Sequence, residues 1–565
     1  VQPVARFDIV PWQRIEHGET FKAGVVAFSK PGVTSVEFTI SGCGYSGGTK
    51  ISTEMTLNDR VNVWEYWVSI STEEFTSSGT FTLSAVVTDN DGNTRNLDAI
   101  SLRVDHDSTL AKATAWVDSV SGNNATAEVD NESLPYADMA TALSEVQTAN
   151  GGVLDGCVIY FEEGTYVIER STTLNTSNEW LTFTKSSSAD KANVIFREQG
   201  SSGSSAAETD HLRFYNVSLV GDHENQSWLT GWPDNEPTWL WVDNCNVYST
   251  LSRHATNVCP IWRGDQWFCT DTYIHNVDIA MRFADIVRNV DVYYLGDDCC
   301  FNCDLVVNLT LNDQTTNYDN YNHADGWQNS SNPMSNRIVY GYYGTDMHVQ
   351  GIFIRMAPSV GTHQDNAFVN VFIEMRPPGF PGYEGGEVRQ SCTNWYGAFD
   401  HLLVWNCTFP FEDSSLYDET DVPLAMTNSS WVGNEFHAWM EWYETVGDPI
   451  SWTQPGNAEN NEFLYNHYEV SRVDDPDESE LMSRSPDSSS EGTQSLGDPG
   501  LDLTIGSDDF GNPQEGSILI DRIPTLRVPV DVHLNERSAP DTVGAVYYQV
   551  LENIRYTTDR WIFGS

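Results

Sequence analysis

The chain has 565 residues, 81 of them acidic and 29 basic, giving a formal charge of −52 at pH 7, and 39% are hydrophobic. That length exceeds one ordinary globular core, and the apolar share is too high for a disordered acidic polymer. The charge repels nucleic acid and anionic membranes, and no apolar run is long enough to span a bilayer, so neither partner is expected.

Residues 1–108 alternate apolar and polar in short runs, such as SVEFTISG and GTFTLSAVVTD, separated by turn signals such as KPG and DNDGN. Period-two strands at this spacing predict an antiparallel sandwich of immunoglobulin or fibronectin type, read here as a spacer or adhesion module. From Trp116 the pattern changes to a short strand, a polar loop and a helical stretch ending at ADMATAL. CVIYFEEGTYVIE (157–169) then reads as two strands about a glycine turn.

An asparagine flanked by strand-forming residues recurs after this, at Asn216, Asn244, Asn276, Asn302, Asn406, Asn434 and Asn461. Short strands at such a period indicate a solenoid, and the β-branched content argues against a helical one. Parallel coils about 4.8 Å apart would stack these asparagines at a bend, each amide bonding the next. The cysteines after Asn244, Asn302 and Asn406 are expected to point inward. The opening AWVDSVSGNN…LPYADMATAL, the segment IYFEEGTYVI, the Asn-centred coils and the closing LGDPGL and PDTVGAVYY resemble the secreted right-handed parallel β-helix proteins of the pectate-lyase-like superfamily.

The resemblance covers about residues 112–550 and implies an all-β chain whose parallel β-helix runs over 112–470. The stretch 471–500 is acidic and rich in Ser, Pro and Gly and reads as a loop or linker, while 501–565 regains strand character and is expected to cap the coil. The start VQPVARFDIVPW lacks a basic-then-apolar leader and reads as a mature secreted chain, extracellular or at a cell surface, with an acidic excess that suits salty water. Ten cysteines without a second pair at zinc-ligand spacing point to disulfides or buried thiols over zinc.

The interval between Asn302 and GIFIRM (351–356) is nearly twice a coil, and long loops on a rigid repeat often carry function. NHADGWQ (322–328) lies there, and the order His-x-Asp occurs at 323/325 and again at 363/365. In a strand, residues two apart share a side, so each pair would aim imidazole and carboxylate outward together. The predicted groove holds His323, Asp325, His363, Asp365 and Arg355 as catalytic groups. His348, Gln328 and Arg376 would bind substrate, with Trp327 as a sugar-stacking platform.

A second candidate pairs Asp271 and Asp297, each five residues before a repeated asparagine, with Asp298 beside them. On adjacent coils such carboxylates suit a glycosidase pair or a calcium site, calcium being the one cofactor considered. The polygalacturonase pattern of Asn-Thr-Asp, an Asp pair, Gly-His-Gly and Arg-Ile-Lys is met only at the Asp pair, so that activity is not assigned. The substrate expected is a marine or plant polysaccharide. Abundant carboxylates, and the absence of any lysine after Lys191, favour a hydrolase over a calcium-assisted lyase. A non-catalytic adhesin or structural carbohydrate-binding β-helix is the alternative.

Overall fold

The computed structural model describes residues 1–110, 112–167, 174, 176, 178–197, 211–221, 229–230, 239–251, 261–263, 266–314, 325–330, 333–347, 350–355, 361–375, 391–396, 398–417, 426–443, 462–464, 467–470, 495–496 and scattered positions between 513 and 545. Two β-sheets form the N-terminal sandwich. One is four-stranded and includes Val4–Phe7, Thr20–Phe28 and Val63–Ser71; the other is five-stranded and includes Val33–Ser41, Gly79–Asp89 and Thr94–Val104. Alternating residues such as Val36, Phe38 and Ile40, with Phe81, Leu83 and Ala85 opposite, fill the space between them.

The rest is a parallel β-helix whose described strands join one 28-stranded hydrogen-bonded set, apart from the separate parallel pair Leu229–Thr230 and Ile261–Arg263. It divides into three faces. Sheet I runs from Thr114–Val117 to Glu462–Leu464, and sheet II from Gly164–Val167 to Ser495–Leu496. Sheet III begins at Met281–Arg282 and continues through Cys300–Phe301, Asp325–Ser330, Gln350–Arg355 and Ser391–Tyr396. The last described rung therefore lies inside the stretch expected to be a linker, so the coil runs past residue 470. The helix Met139–Ala149 closes the first coil. It is capped by Asp138, whose carboxylate accepts the Thr141 amide at 2.8 Å, and it turns Met139, Ala142, Leu143 and Val146 into the coil interior.

The bend from sheet I to sheet II shows how the winding is encoded. Asn216, Asn244, Asp271, Asn289, Asn308, Gly341, Asn370, Asn406 and Gly433 stack in register, all at positive φ. Asn, Asp and Gly tolerate that conformation at least cost. The Asn289 amide donates to Asp271 Oδ1 at 2.9 Å and Asn308 donates to Asn289 Oδ1 at 3.0 Å, the expected ladder. At Gly341 a Cβ would stand 2.9 Å from Asn308 Oδ1, so glycine continues the column where a side chain would block it.

Only part of the predicted asparagine series belongs to this column. Asn276 ends a sheet II strand and donates to the carbonyls of Ser249 and Leu251, whereas Asn302 follows a sheet III strand. They occupy different corners, which corrects the register assumed between them. Cys245, Cys303 and Cys407 do point inward, and eight described cysteines are free thiols.

The sandwich is not a spacer. Val4, Val10, Val26, Phe28, Val61 and Val63 form one apolar layer with the outer face of sheet I, including Trp241, Phe268, Ile286, Leu305, Ile338, Tyr340 and Trp405. Sheet I is thus apolar on both faces, as in strands sandwiched between two layers. Ion pairs frame this layer: Asp8 with Arg288 at 2.7 Å, Arg14 with Glu179, Arg95 with Asp365, and Arg6 with Asp304. The described C-terminal residues lie on the flank of the coil instead of its end. Val528 and Val530 join the shared layer, the Asn370 amide donates to the Val530 carbonyl, and Gly544 N–H donates to the Gly433 carbonyl.

Candidate functional site

The described residues of the groove predicted from sequence do not come together. His323, His348 and Arg376 lie outside the described residues, and Arg355 is described only through its backbone, where it pairs with Ser330. Trp327 cannot be a platform: it is fully buried inside the coil, edge-on to Phe368 with ring centroids 5.4 Å apart. Gln328 is half-buried on the outer side of sheet III, between Phe301 and Phe353 in the register.

His363 is also interior. Its Nδ1 accepts the Met334 amide at 3.0 Å, and its ring stacks on Phe399. Asp365 sits at positive φ at the bend leading into sheet I, where it bridges Arg95 of the sandwich and Nδ1 of His401. Asp325 begins a sheet III strand opposite Gln350, and Asp365 follows the far end of the next one. Five residues at about 3.3 Å each put roughly 16 Å between those ends. The two His-x-Asp motifs therefore do not line one groove.

The residues of the second candidate separate. Asp271 belongs to the asparagine column, bonded to Asn289 and 4.0 Å from Arg288, and is not beside Asp297. The register Met281 opposite Cys300 places Asp278, and not Asp271, on the coil next to Asp297. The register Cys300 opposite Trp327 places Asp325 next to Asp298. Four carboxyl groups thus meet where sheet II turns into sheet III.

Local sequence explains the convergence. Only residues 278–280 and 296–299 connect the two sheets in these coils, so each turn is tight and its aspartates stay close to the coil wall. Backbone bonds lock the coils together: Ala280 N–H to the Asp298 carbonyl at 3.0 Å, and Cys299 N–H to the Asp325 carbonyl at 2.9 Å. Gln314 Nε2 donates to the Asp297 carbonyl at 2.8 Å. The Asp325 amide approaches Asp298 Oδ1 at 3.4 Å. Arg282 Nη2 stands 3.9 Å from Asp298 Oδ2, with its guanidinium over the Phe301 ring.

Exposure is 3% for Asp278, 7% for Asp297 and 4% for Asp298, while Asp325 is fully buried and neither carboxyl oxygen has a hydrogen-bond partner among the described residues. Burial, then Asp298 and Asp278 nearby, push Asp297 up to about 9. Burial raises Asp298 less, to about 7, because Arg282 and the Asp325 amide favour its charged form. Burial and the neighbouring aspartates raise Asp325 well above the carboxylate range. Two adjacent carboxyl groups with different environments therefore hold their protons over different pH ranges, as acid–base pairs do.

Among the described residues, no three or more His, Cys, Asp or Glu side chains are arranged to hold a metal ion. A cavity of about 350 Å³ lies at the domain junction, lined by Arg6, Arg95, Asp98, Gln266 and Asp285 among others, and does not include the carboxyl corner. Sequence reasoning missed Asp278 and Arg282. A signal for Asp278 was present in HNVDIA, where Asn276-Val277-Asp278 differs by one residue from the Asn-Thr-Asp searched for.

No family model and no curated protein matches the chain. Among solved structures, the catalytic domain of a GH87 alpha-1,3-glucanase in complex with tetrasaccharides is 11% identical, covering 83% of this chain and 96% of its own, with a TM-score of 0.31. The Agl-KA catalytic domain is 10% identical over 82% of this chain and 81% of its own, with a TM-score of 0.25. A structure of Clostridium thermocellum CbhA fibronectin(III)-like modules is 21% identical over 18% of this chain and 93% of its own, with a TM-score of 0.13. At these scores the likenesses bear on neither reaction nor substrate.

Proposed function

We propose that the chain is a polysaccharide hydrolase whose chemistry lies at the Asp278, Asp297, Asp298 and Asp325 corner. The observation that carries this reading is the gathering of four buried carboxyl groups on adjacent coils, with burial pushing Asp297 up further than Asp298, which Arg282 favours in its charged form. Asp297 donates its proton to the leaving glycosidic oxygen. The Asp298 carboxylate, steadied by Arg282, takes the proton of an attacking water or adds to the anomeric carbon itself. Burial, then the neighbouring Asp298 and Asp278, holds the proton on Asp297. A lyase would need a base strong enough to remove a carbon-bound proton, and a carboxyl corner shared with one arginine suits proton donation better.

The test is release of new reducing ends from a panel of plant and marine polysaccharides, with ultraviolet absorbance of the products followed alongside. Hydrolysis by the native chain and its loss in Asp297→Asn is the expected result. Unsaturated products would replace the hydrolase with a lyase, and glycan binding without turnover would replace it with an adhesin.

A further inference from the structure

The turn that carries Asp297 is preceded by an unusual residue. Asn276, Tyr294, Asp313 and Asp346 stack in register at the end of sheet II, all at positive φ. Three of the four are the residue types that tolerate this conformation, and Asn276 uses its side chain to tie down two carbonyls of the coil below. Tyr294 has φ of 56°. A bulky L-residue is strained there, and such strain is retained chiefly where a side chain is needed in one place.

That place is the end of the sheet II strand that leads into the carboxyl corner. Tyr294 lies three residues before Asp297 and is 42% exposed, the ring braced edge-to-face by Tyr293 at a centroid distance of 4.1 Å. A large, fixed, partly open aromatic ring next to buried carboxyl groups is the surface on which the apolar face of a pyranose stacks. Charge selects the kind of sugar. Arg282 is the cation acting on Asp297 and Asp298, and the chain carries −52, so a polymer with a carboxylate on every unit meets repulsion and little compensation. We propose that Tyr294 is the stacking platform of a subsite for uncharged pyranose polymers, adjoining Asp297.

This rests on the hydrolase reading for its location, yet its test does not require turnover. The full chain and its Tyr294 variants are run in native gels containing laminarin, dextran, polygalacturonate or alginate. Retardation of the native chain by a neutral glucan and not by the two polyuronates is expected. Tyr294→Trp, which keeps an aromatic face, should keep the retardation, and Tyr294→Gly, which relieves the strained backbone, should weaken binding about fivefold to tenfold without lowering the Tm. Asp297→Asn should still be retarded, so loss of the hydrolase reading and loss of this one are distinct results. Equal retardation of the Gly and Trp variants, equal loss in both, retention by a polyuronate gel, or retention by none of the four would overturn the proposal.

Discussion

Asp8, Glu179, Asp304 and Asp365, at the edge where the coil meets the sandwich, each meet an arginine from across the junction. At the corner between sheets II and III, Asp297 and Asp298 share Arg282, and the Asp325 carboxyl group has no hydrogen-bond partner among the described residues. The Asp8–Arg288 and Glu179–Arg14 pairs of the first region are as buried as the aspartates of the second. At the first, opposite charges compensate the loss of water, and the result is adhesion between domains. At the second, the loss of water is left uncompensated, and the carboxyl groups respond by keeping their protons.

The contrast breaks most clearly at Asp297. Asp297→Asn should lower kcat by roughly 10²–10⁴ while leaving the fold intact, because the acid is already neutral at pH 7. A variant with native turnover would move the chemistry elsewhere. At the domain edge the effect should be on stability alone. Asp8→Ala leaves Arg288 buried without its partner and should cost about 3–5 kcal/mol, read by calorimetry, with kcat unchanged. Trp327→Ala should cost a similar amount, about 3–5 kcal/mol, through a core cavity. Lowered glycan affinity in a fully stable Trp327→Ala protein would instead restore the platform that burial excludes.

The two regions also differ in their pH response. Asp297 binds its proton more tightly folded than unfolded, so its contribution to stability is complete below about pH 4 and is lost as pH rises towards 9. The Tm should therefore decline through that window in the native chain and decline less in Asp297→Asn. In parallel, kcat/KM should rise as Asp298 ionises near 7 and fall as Asp297 ionises near 9. A profile flat across that range would remove the assigned acid–base pair. Smallest of all, Asp365→Asn weakens a partly exposed contact with Arg95 and should cost about 1 kcal/mol or less, with no change in the pH profile.

Sequence periodicity made the coil legible because each turn needs a residue that accepts positive φ, and Asn, Asp and Gly recur there. The triplets IVR, LVV, IVY and AFV, each followed by Asn or Gly at 289, 308, 341 and 370, mark sheet I more faithfully than the Asn-Cys motifs do. Their apolar character, broken only by Arg288, also signals a sheet covered on both faces, and so a docked sandwich. The groove was misread for a related reason. Two His-x-Asp motifs look alike in sequence, but side-chain direction depends on which corner each occupies, and a coil of variable length hides that.

Composition and local pattern alone established an acidic chain, a β-sandwich and a parallel solenoid, since strand period, turn chemistry and net charge are properties of short segments. The pairing of Asp278 with Asp297 and of Asp298 with Asp325, and the enclosure of Trp327 and His363, were decided by tertiary structure. Neighbours in a stacked coil are set by the length of every intervening turn, and a single short connection changes which carboxyl groups share a wall and lose their water together.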